Sequence, residues 1–209
     1  MRFCYKPDIS IIMPTLNRGS HLENAVKSVI SQSFENWELI IVDDGSTDNT
    51  FETLDSYLAR FSNIRYMKHK NRKTALSRNA GIQASFGRYI TFLDSDDHYL
   101  ENHLETRIEL IKEMQEVALI TGGFLCDDSI MVKDCYSPYK LINIRQCILC
   151  GTLFGTRELF MALEGFKDLE YAEDTDLWER ASKLFNVKKI ENPKTYVYRR
   201  ANDSITRNY

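Results

Sequence analysis

Three carboxylates in four residues, Asp94-Ser95-Asp96-Asp97, follow directly on the apolar run Arg88-Tyr89-Ile90-Thr91-Phe92-Leu93. Such a run reads as a buried strand, so the acids fall where it leaves the sheet. Like charges this close repel, and a cation, hydrogen bonds or raised pKa values must relieve them. Hard oxygen donors of this kind suit Mg2+ or Mn2+, ions that in turn hold phosphate groups. A solvated acidic turn is the competing reading, since Asp and Ser are ordinary turn residues. On these four residues alone the two readings stand level, because short acidic motifs recur by chance.

Two further acidic clusters share this character. Asp43-Asp44-Gly45-Ser46-Thr47-Asp48 ends the apolar run Trp37 to Val42, and Glu173-Asp174-Thr175-Asp176 opens a helical pattern. One carboxylate of the first cluster could cap the helix starting near Asp48-Asn49-Thr50. The second also reads as an ordinary acidic helix start, favoured by the helix dipole.

The elements that must position these groups alternate in type. Ile9 to Met13 reads as a strand ended by Pro14, and Thr15 to Gly19 as a polar loop. Ser20 and Glu23 have capping-box spacing, and Leu22, Ala25, Val26, Val29 and Ile30 mark one face of a helix ending near Ser33. Trp37 to Val42 is a second strand. The next helix is expected to carry Phe51, Leu54, Leu58 and Phe61 on its inner stripe. Ile64 to Met67 reads as a strand, Ala75 to Phe86 as a helix and Arg88 to Leu93 as a fourth strand. This alternation without hairpin signals predicts an α/β fold with a parallel sheet. Sheets of that kind bind ligands beyond the carboxyl ends of their strands, where Asp43-Asp44 and Asp94-Asp96-Asp97 are both expected. That coincidence favours a nucleotide site.

The second half is less regular. Leu104, Ile108 and Ile111 mark a helix over about 101–116. Strands are expected over 117–121 and 129–133, separated by a turn with Asp127-Asp128, and over 151–156. A helix over about 175–185 turns Leu177, Ala181 and Leu184 inward, with Trp178 beside them in the core. No repeat or low-complexity linker interrupts the chain, which predicts one continuous domain over 1–209.

Composition narrows the class. Hydrophobic residues make up 43% and charged residues 27%, as in soluble globular proteins. A net charge of -3 excludes the overall basic balance that tracks a nucleic-acid backbone. The stretch Lys68 to Lys73 is too short for a nucleic-acid patch and reads as a solvated loop or local anion site. No run reaches the ~18 apolar residues of a membrane span, and Met1 to Asp8 lacks the apolar core of a signal peptide. Cytoplasmic residence is the expectation. Cys4, Cys126, Cys135, Cys147 and Cys150 form an odd set that reads as reduced and structural. The CxxC of Cys147 and Cys150 has no second pair to complete a zinc site.

Taken in order, these segments resemble the family 2 glycosyltransferases. Ile9 to Arg18 is similar to the family's opening strand and its Pro-Thr-x-Asn-Arg loop. Asp43 to Asp48 resembles its acidic turn, and Leu93 to Asp97 its DxD-type metal motif. Ser77-Arg78-Asn79-Ala80-Gly81 resembles its Ala-Arg-Asn-x-Gly segment, with Ser for Ala. Gly165-Phe166 and Glu173 to Trp178 are similar to its acceptor-side loop and catalytic-base segment. Tyr198-Arg199 with Ser204-Ile205-Thr206 resembles its closing motif.

The resemblance implies a GT-A nucleotide-diphospho-sugar transferase fold, a Rossmann-like, mostly parallel sheet flanked by helices. Its nucleotide-binding half would span about 1–97 and its acceptor-binding half about 98–209. It implies inverting transfer of a sugar from a nucleotide-diphosphate donor, UDP being common in the family. The acceptor would be a hydroxyl of a saccharide or lipid-linked glycan, which also allows peripheral association with the inner face of the membrane. On this reading Pro14, Thr15, Asn17 and Arg18 line the nucleobase and ribose, and Asp43 or Asp44 accepts from the base. Arg78 reaches the ribose or diphosphate, or pairs at the surface with a neighbouring acid. Asp94 and Ser95 sit on the donor side, Asp96 with Asp94 holds Mn2+ or Mg2+, and Asp174 is the general base. Gly165, Phe166 and Glu173 fall on the acceptor side.

Three features depart from the family's pattern. Ala201 stands where many relatives carry a histidine. Lys73 stands where Gly is frequent, so its cation either contacts phosphate or faces solvent. The chain ends at Tyr209, soon after the last motif, where relatives often continue into helices that bind membranes, partners or acceptors. Two alternatives therefore stay open. One is a catalytically weak nucleotide-sugar-binding subunit of a glycan-assembly complex. The other is a metal-dependent phosphatase or nucleotidyltransferase sharing the acidic strand ends.

Overall fold

The structure, a computed structural model, describes residues 6–137 and 139–200. Ala201 and Ser204-Ile205-Thr206 lie outside the described residues.

The first half is a run of strand and helix. β1 (Ile9–Thr15), α1 (Gly19–Ile30), β2 (Trp37–Asp43), α2 (Thr50–Arg60), β3 (Ile64–Lys68), α3 (Thr74–Ala84) and β4 (Tyr89–Phe92) follow one another. Then come β5 (His98–Tyr99), α4 (His103–Glu113), β6 (Val117–Gly122), β7 (Phe124–Leu125), β8 (Met131–Lys133) and β9 (Leu141–Asn143). Two 3-10 turns, Ile144–Gln146 and Cys150–Thr152, lead into β10 (Phe154–Thr156) and α5 (Arg157–Ala162). The chain closes with α6 (Glu173–Leu184), β11 (Asn186–Ile190) and β12 (Tyr196–Val197).

Seven strands form the central sheet in the order β11-β6-β10-β4-β1-β2-β3. β1 runs parallel to β2 and β4, β2 to β3 and β11 to β6, while β10 lies antiparallel between β4 and β6. The sheet is therefore mostly parallel. Alternation along β1 sends Ile9, Ile11 and Met13 into one core with Leu22, Val26 and Leu104. Ile12 points the other way, to Ala75, Phe160 and Leu177. Both faces of the sheet are covered, which is why its inner strands read as unbroken apolar runs.

Several local expectations change. The Ser20–Glu23 capping box does not form. α1 begins at Gly19 with no side-chain cap from Arg18, Asp48 Oδ2 accepts from the Gly19 N–H at 3.2 Å, and Glu23 pairs with Lys27. On α2 only Leu54 of the expected stripe is buried; Phe51 is exposed, because this helix covers the outer edge of the sheet and not its centre. The 151–156 strand shortens to β10, as Gly151 and Thr152 belong to a 3-10 turn. The expected 129–133 strand appears as β8, paired with β9 outside the main sheet. α5 and β11 were not expected from the sequence.

Candidate active site

A single cleft of ≈ 1730 Å³ opens beyond the carboxyl ends of β1, β2 and β4. Pro14, Thr15, Asn17, Arg18, Asp44, Arg78, Asp94, Ser95, Asp96, Glu173 and Asp174 all line it. Residues separated by up to 160 positions in sequence thus face one space.

The first loop is knitted to the acidic turn after β2. Asn17, in the left-handed region at φ 52, donates its N–H to Ser46 Oγ at 2.8 Å and accepts from Thr47 N–H at 2.8 Å through Oδ1. Thr15 C=O accepts from Asp44 N–H at 2.8 Å. The Thr15 hydroxyl is buried and finds no hydrogen-bond partner among the described residues.

Asp43 and Asp44 divide their tasks. Asp43 is fully buried and absent from the cleft wall. Its Oδ1 accepts from the N–H groups of Gly45 and Ser46 at 3.0 and 2.7 Å, and its Oδ2 from Tyr66 at 2.5 Å. Burial alone would raise its pKa, but the Tyr66 hydroxyl and the Ser46 N–H hold it below the ordinary value. With both oxygens engaged by the turn and by Tyr66, Asp43 is placed to shape the site, and of the pair only Asp44 lines the cleft. Asp44 Oδ1 accepts from Arg72 N–H at 2.7 Å and lies 3.3 Å from His69 Nδ1.

Arg78 lines the cleft, as a donor-side residue would, but its pairing with acids is made in the interior. It is buried, not at the surface, and its fork joins two acids of the site: Nη2 to Asp94 Oδ1 at 2.8 Å and Nη1 to Glu173 Oε1 at 2.5 Å. Its guanidinium also lies over the Phe166 ring at 5.6 Å. A planar fork can satisfy two carboxylates at once where a lysine could not.

Gly165 and Phe166 do not reach the cleft. Asn79 clamps this segment, accepting from Phe166 N–H at 2.7 Å and donating to Phe166 C=O at 2.8 Å. Gly165 has φ +70, and a Cβ there would meet Asn79 Oδ1 at 2.1 Å. The pair anchors the approach to α6 against α3, and the Phe166 ring packs edge-on to Phe92 in the core. Lys73, at φ 71 and ψ 162, occupies a backbone region that is essentially glycine's own. That conformation explains the glycine expected there; its ammonium pairs with Asp168 at 3.3 Å on the rim. Trp178 packs against the core and also lines the cleft, one turn beyond Asp174.

The acids differ in their surroundings. Asp97 is buried and accepts from Tyr196 Oη at 2.5 Å and Arg199 N–H at 2.6 Å. For Asp96, burial and the Asp94 charge raise the pKa, opposed by Arg18 and His21. Asp174 Oδ2 accepts from Cys150 N–H at 3.2 Å and Oδ1 from its neighbour Thr175 N–H at 2.7 Å. Burial, then the Glu173 charge, push the Asp174 carboxyl up to about 7, against the pull of Arg78 and these N–H groups. A carboxylate tuned to that range can take up a proton near neutral pH. Among the described residues no group of three or more His, Cys, Asp or Glu side chains is arranged to hold a metal ion. Asp96 and Asp94 nonetheless offer oxygen donors on one wall, a sparse set of the kind Mg2+ completes with water and phosphate.

Tyr196, Asn79 and Cys150 were not singled out as site residues from the sequence. Their partners lie 99, 87 and 24 residues away, beyond any local pattern. No helix among the described residues is long and apolar enough to cross a membrane.

The family model described as Glycosyl transferase family 2 matches residues 10–156. TuaG of Bacillus subtilis (strain 168), a glycosyltransferase whose name refers to teichuronic acid biosynthesis, is 31% identical over 212 residues, covering 98% of this chain and 83% of that protein. Among solved structures, S. aureus TarS 1-349 in complex with UDP-GlcNAc superposes with a TM-score of 0.75 at 19% identity, covering 97% of this chain and 61% of that one. The mannosyltransferase PcManGT from Pyrobaculum calidifontis, in complex with GDP-Man and Mn2+, gives 0.73 at 17%, covering 97% and 59%. The matched segment spans 40% of the length of one other curated relative and 29% of another. The fold is the GT-A fold of these structural neighbours, and the chain belongs to glycosyl transferase family 2.

Proposed function

We propose that this chain transfers a sugar, with inversion, from a nucleotide-diphosphate donor, most simply a UDP-sugar, to a hydroxyl of a saccharide or lipid-linked glycan. The observation that carries the reading is Asp174: a carboxyl tuned to about 7 facing the same cleft as Asp94 and Asp96. Family membership and the UDP-GlcNAc held by TarS support the donor class.

Each residue then has a task. The loop Pro14 to Arg18 lines the nucleobase and ribose, and Asp44 accepts from a base N–H. Asp96, with Asp94, would hold Mn2+ or Mg2+, which supplies neutralisation of the negative charge on the departing diphosphate; the Mn2+ in PcManGT supports this assignment. Asp174 takes the proton from the acceptor hydroxyl as that oxygen bonds to the anomeric carbon. The bond from that carbon to the diphosphate oxygen breaks on the opposite face, and its electron pair leaves with the diphosphate. One displacement inverts the configuration. Arg78 and Glu173 keep the base and the donor-side acids in register.

Purified protein with UDP-GlcNAc and Mn2+, assayed for UDP release with and without a glycan acceptor, tests the reading. Acceptor-stimulated UDP release supports transfer. Binding that raises the melting temperature without release would favour a sugar-binding subunit, and release of inorganic phosphate a phosphatase.

A further inference from the structure

The phenol of Tyr196 touches both halves of the machinery. On one side its hydroxyl donates to Asp97 Oδ2 at 2.5 Å, in the loop that carries Asp94 and Asp96. On the other it fills the space beside Gly151, where a Cβ would lie 2.1 Å from Tyr196 Oη and 2.2 Å from Cζ. Gly151 sits in the 3-10 turn Cys150–Thr152, and the Cys150 N–H is the group that fixes Asp174 Oδ2. Tyr196, Asp97, Gly151 and Asp174 all line the one cleft.

The ring itself is held rigidly. Tyr196 is 1% exposed and belongs to β12, which pairs antiparallel with β5 and parallel with β7. Tyr99, its partner in β5, packs against it edge-on at 5.8 Å and anchors to Phe92 C=O at 2.7 Å. A side chain so confined cannot yield to either neighbour, so whatever spacing it imposes is passed on to both.

We propose that Tyr196 is the positioning residue that sets the spacing between the donor-side acids and Asp174. The inference rests on the transfer reading above. Reacting groups must be placed to within a fraction of an ångström, and a shift of about 1 Å costs on the order of 100-fold. Glycine at 151 is then required by the phenol, because any side chain there would push the Cys150 turn off its contact.

Two variants test it from opposite sides. Tyr196→Phe removes the hydroxyl and keeps the ring; Gly151→Ala keeps the hydroxyl and displaces the turn. UDP release from UDP-GlcNAc in Mn2+, with water as acceptor, is followed as a function of donor concentration and pH. Each variant is expected to lose about 10-fold or more in kcat with donor KM changed less than about 2-fold. The acid limb of the rate profile should move to higher pH in Gly151→Ala, since Asp174 loses the Cys150 N–H. Glu173, Arg78, Cys135, Cys147 and the Tyr171 hydroxyl, which also face Asp174, are substituted in neither variant; the Cys150 thiol moves with the turn in Gly151→Ala but stays protonated, burial holding it well above its ordinary value. The double variant should lose less than the product of the single losses, because both act on one spacing. Wild-type kcat and an unmoved profile in both variants would overturn the inference, as would a purely additive double variant. A wild-type protein that releases no UDP from any UDP-sugar would instead overturn the transfer reading.

Discussion

Glu173 accepts a 2.5 Å hydrogen bond from Nη1 of Arg78, a residue 95 positions earlier, while Nη2 of the same guanidinium reaches Asp94 at 2.8 Å. The carboxylate beside the proposed base and the first acid of the donor wall are thereby tied through one buried cation. Removing that cation leaves two acids on the cleft wall, 32% and 21% exposed, without the charge between them.

Arg78→Met should therefore destabilise the fold by about 1–3 kcal/mol, less than for a fully buried ion pair because the acids left behind still meet the water of the cleft. Arg78→Lys should recover part of this stability and little of the activity, since an ammonium cannot span both acids. Urea denaturation checks the first expectation and UDP release the second; a loss below about 1 kcal/mol for the Met variant would contradict the role assigned to Arg78.

Asp174 links activity and stability to pH with opposite signs. Its pKa stands at about 7 in the folded chain against 3.8 for an ordinary Asp. The base form grows as pH rises through 7, so turnover should climb across pH 6 to 8. The folded chain meanwhile holds a proton that the unfolded chain releases near 3.8, so this group's contribution to stability is complete below that pH and is lost as pH rises through 7. Asp174→Asn should flatten this slope and be at least as stable as the wild type at pH 8. Denaturant titrations at pH 5 and pH 8 measure both slopes.

The same variant separates binding from chemistry. Asp174→Asn should bind UDP-GlcNAc with nearly wild-type affinity and release no UDP. Asp96→Asn should weaken donor binding far more in Mn2+ than in EDTA. Calorimetry under the two conditions decides it: equal losses would remove Asp96 as a metal ligand, and turnover by Asp174→Asn would remove the base.

Lys73 carries a local cost that glycine would not. Relief of a backbone strain of about 1–3 kcal/mol outweighs the extra freedom of glycine in the unfolded chain, about 0.5–1 kcal/mol, and an exposed pair with Asp168 worth about 0–1 kcal/mol. Lys73→Gly should thus raise the melting temperature by about 2–4 °C, whereas Lys73→Ala should not. If alanine stabilised as much as glycine, strain would not be the cause.

Legibility in the sequence followed the reach of the interactions. β1, β2 and β4 were readable because both their faces are buried, which leaves nearly unbroken apolar runs. β11, with Lys188 and Lys189 exposed at the sheet's edge, carries no such run and passed unseen. Acidic residues at strand ends led to one shared cleft, which Asp44, Asp94 and Asp96 do line, yet spacing could not say that Asp43 turns inward to Tyr66 while Asp44 faces out. Motif likeness put Gly165 and Phe166 on the acceptor side; it could not show the Asn79 clamp that ties Phe166 to α3, which is formed across 87 residues. Trp178 read as core from its helical position, but the cleft opens along that same face.

The antiparallel strand β10 lies between β4 and β6, so the chain's later part is stitched into the middle of the sheet and not appended to its side. A fragment stopping near residue 97 would leave Tyr89-Ile90-Thr91-Phe92 as a bare, sticky margin inviting intermolecular pairing. Truncation libraries, split reporters and domain-swap chimaeras cut at that point should give insoluble material, and junctions placed elsewhere in the loops will serve better.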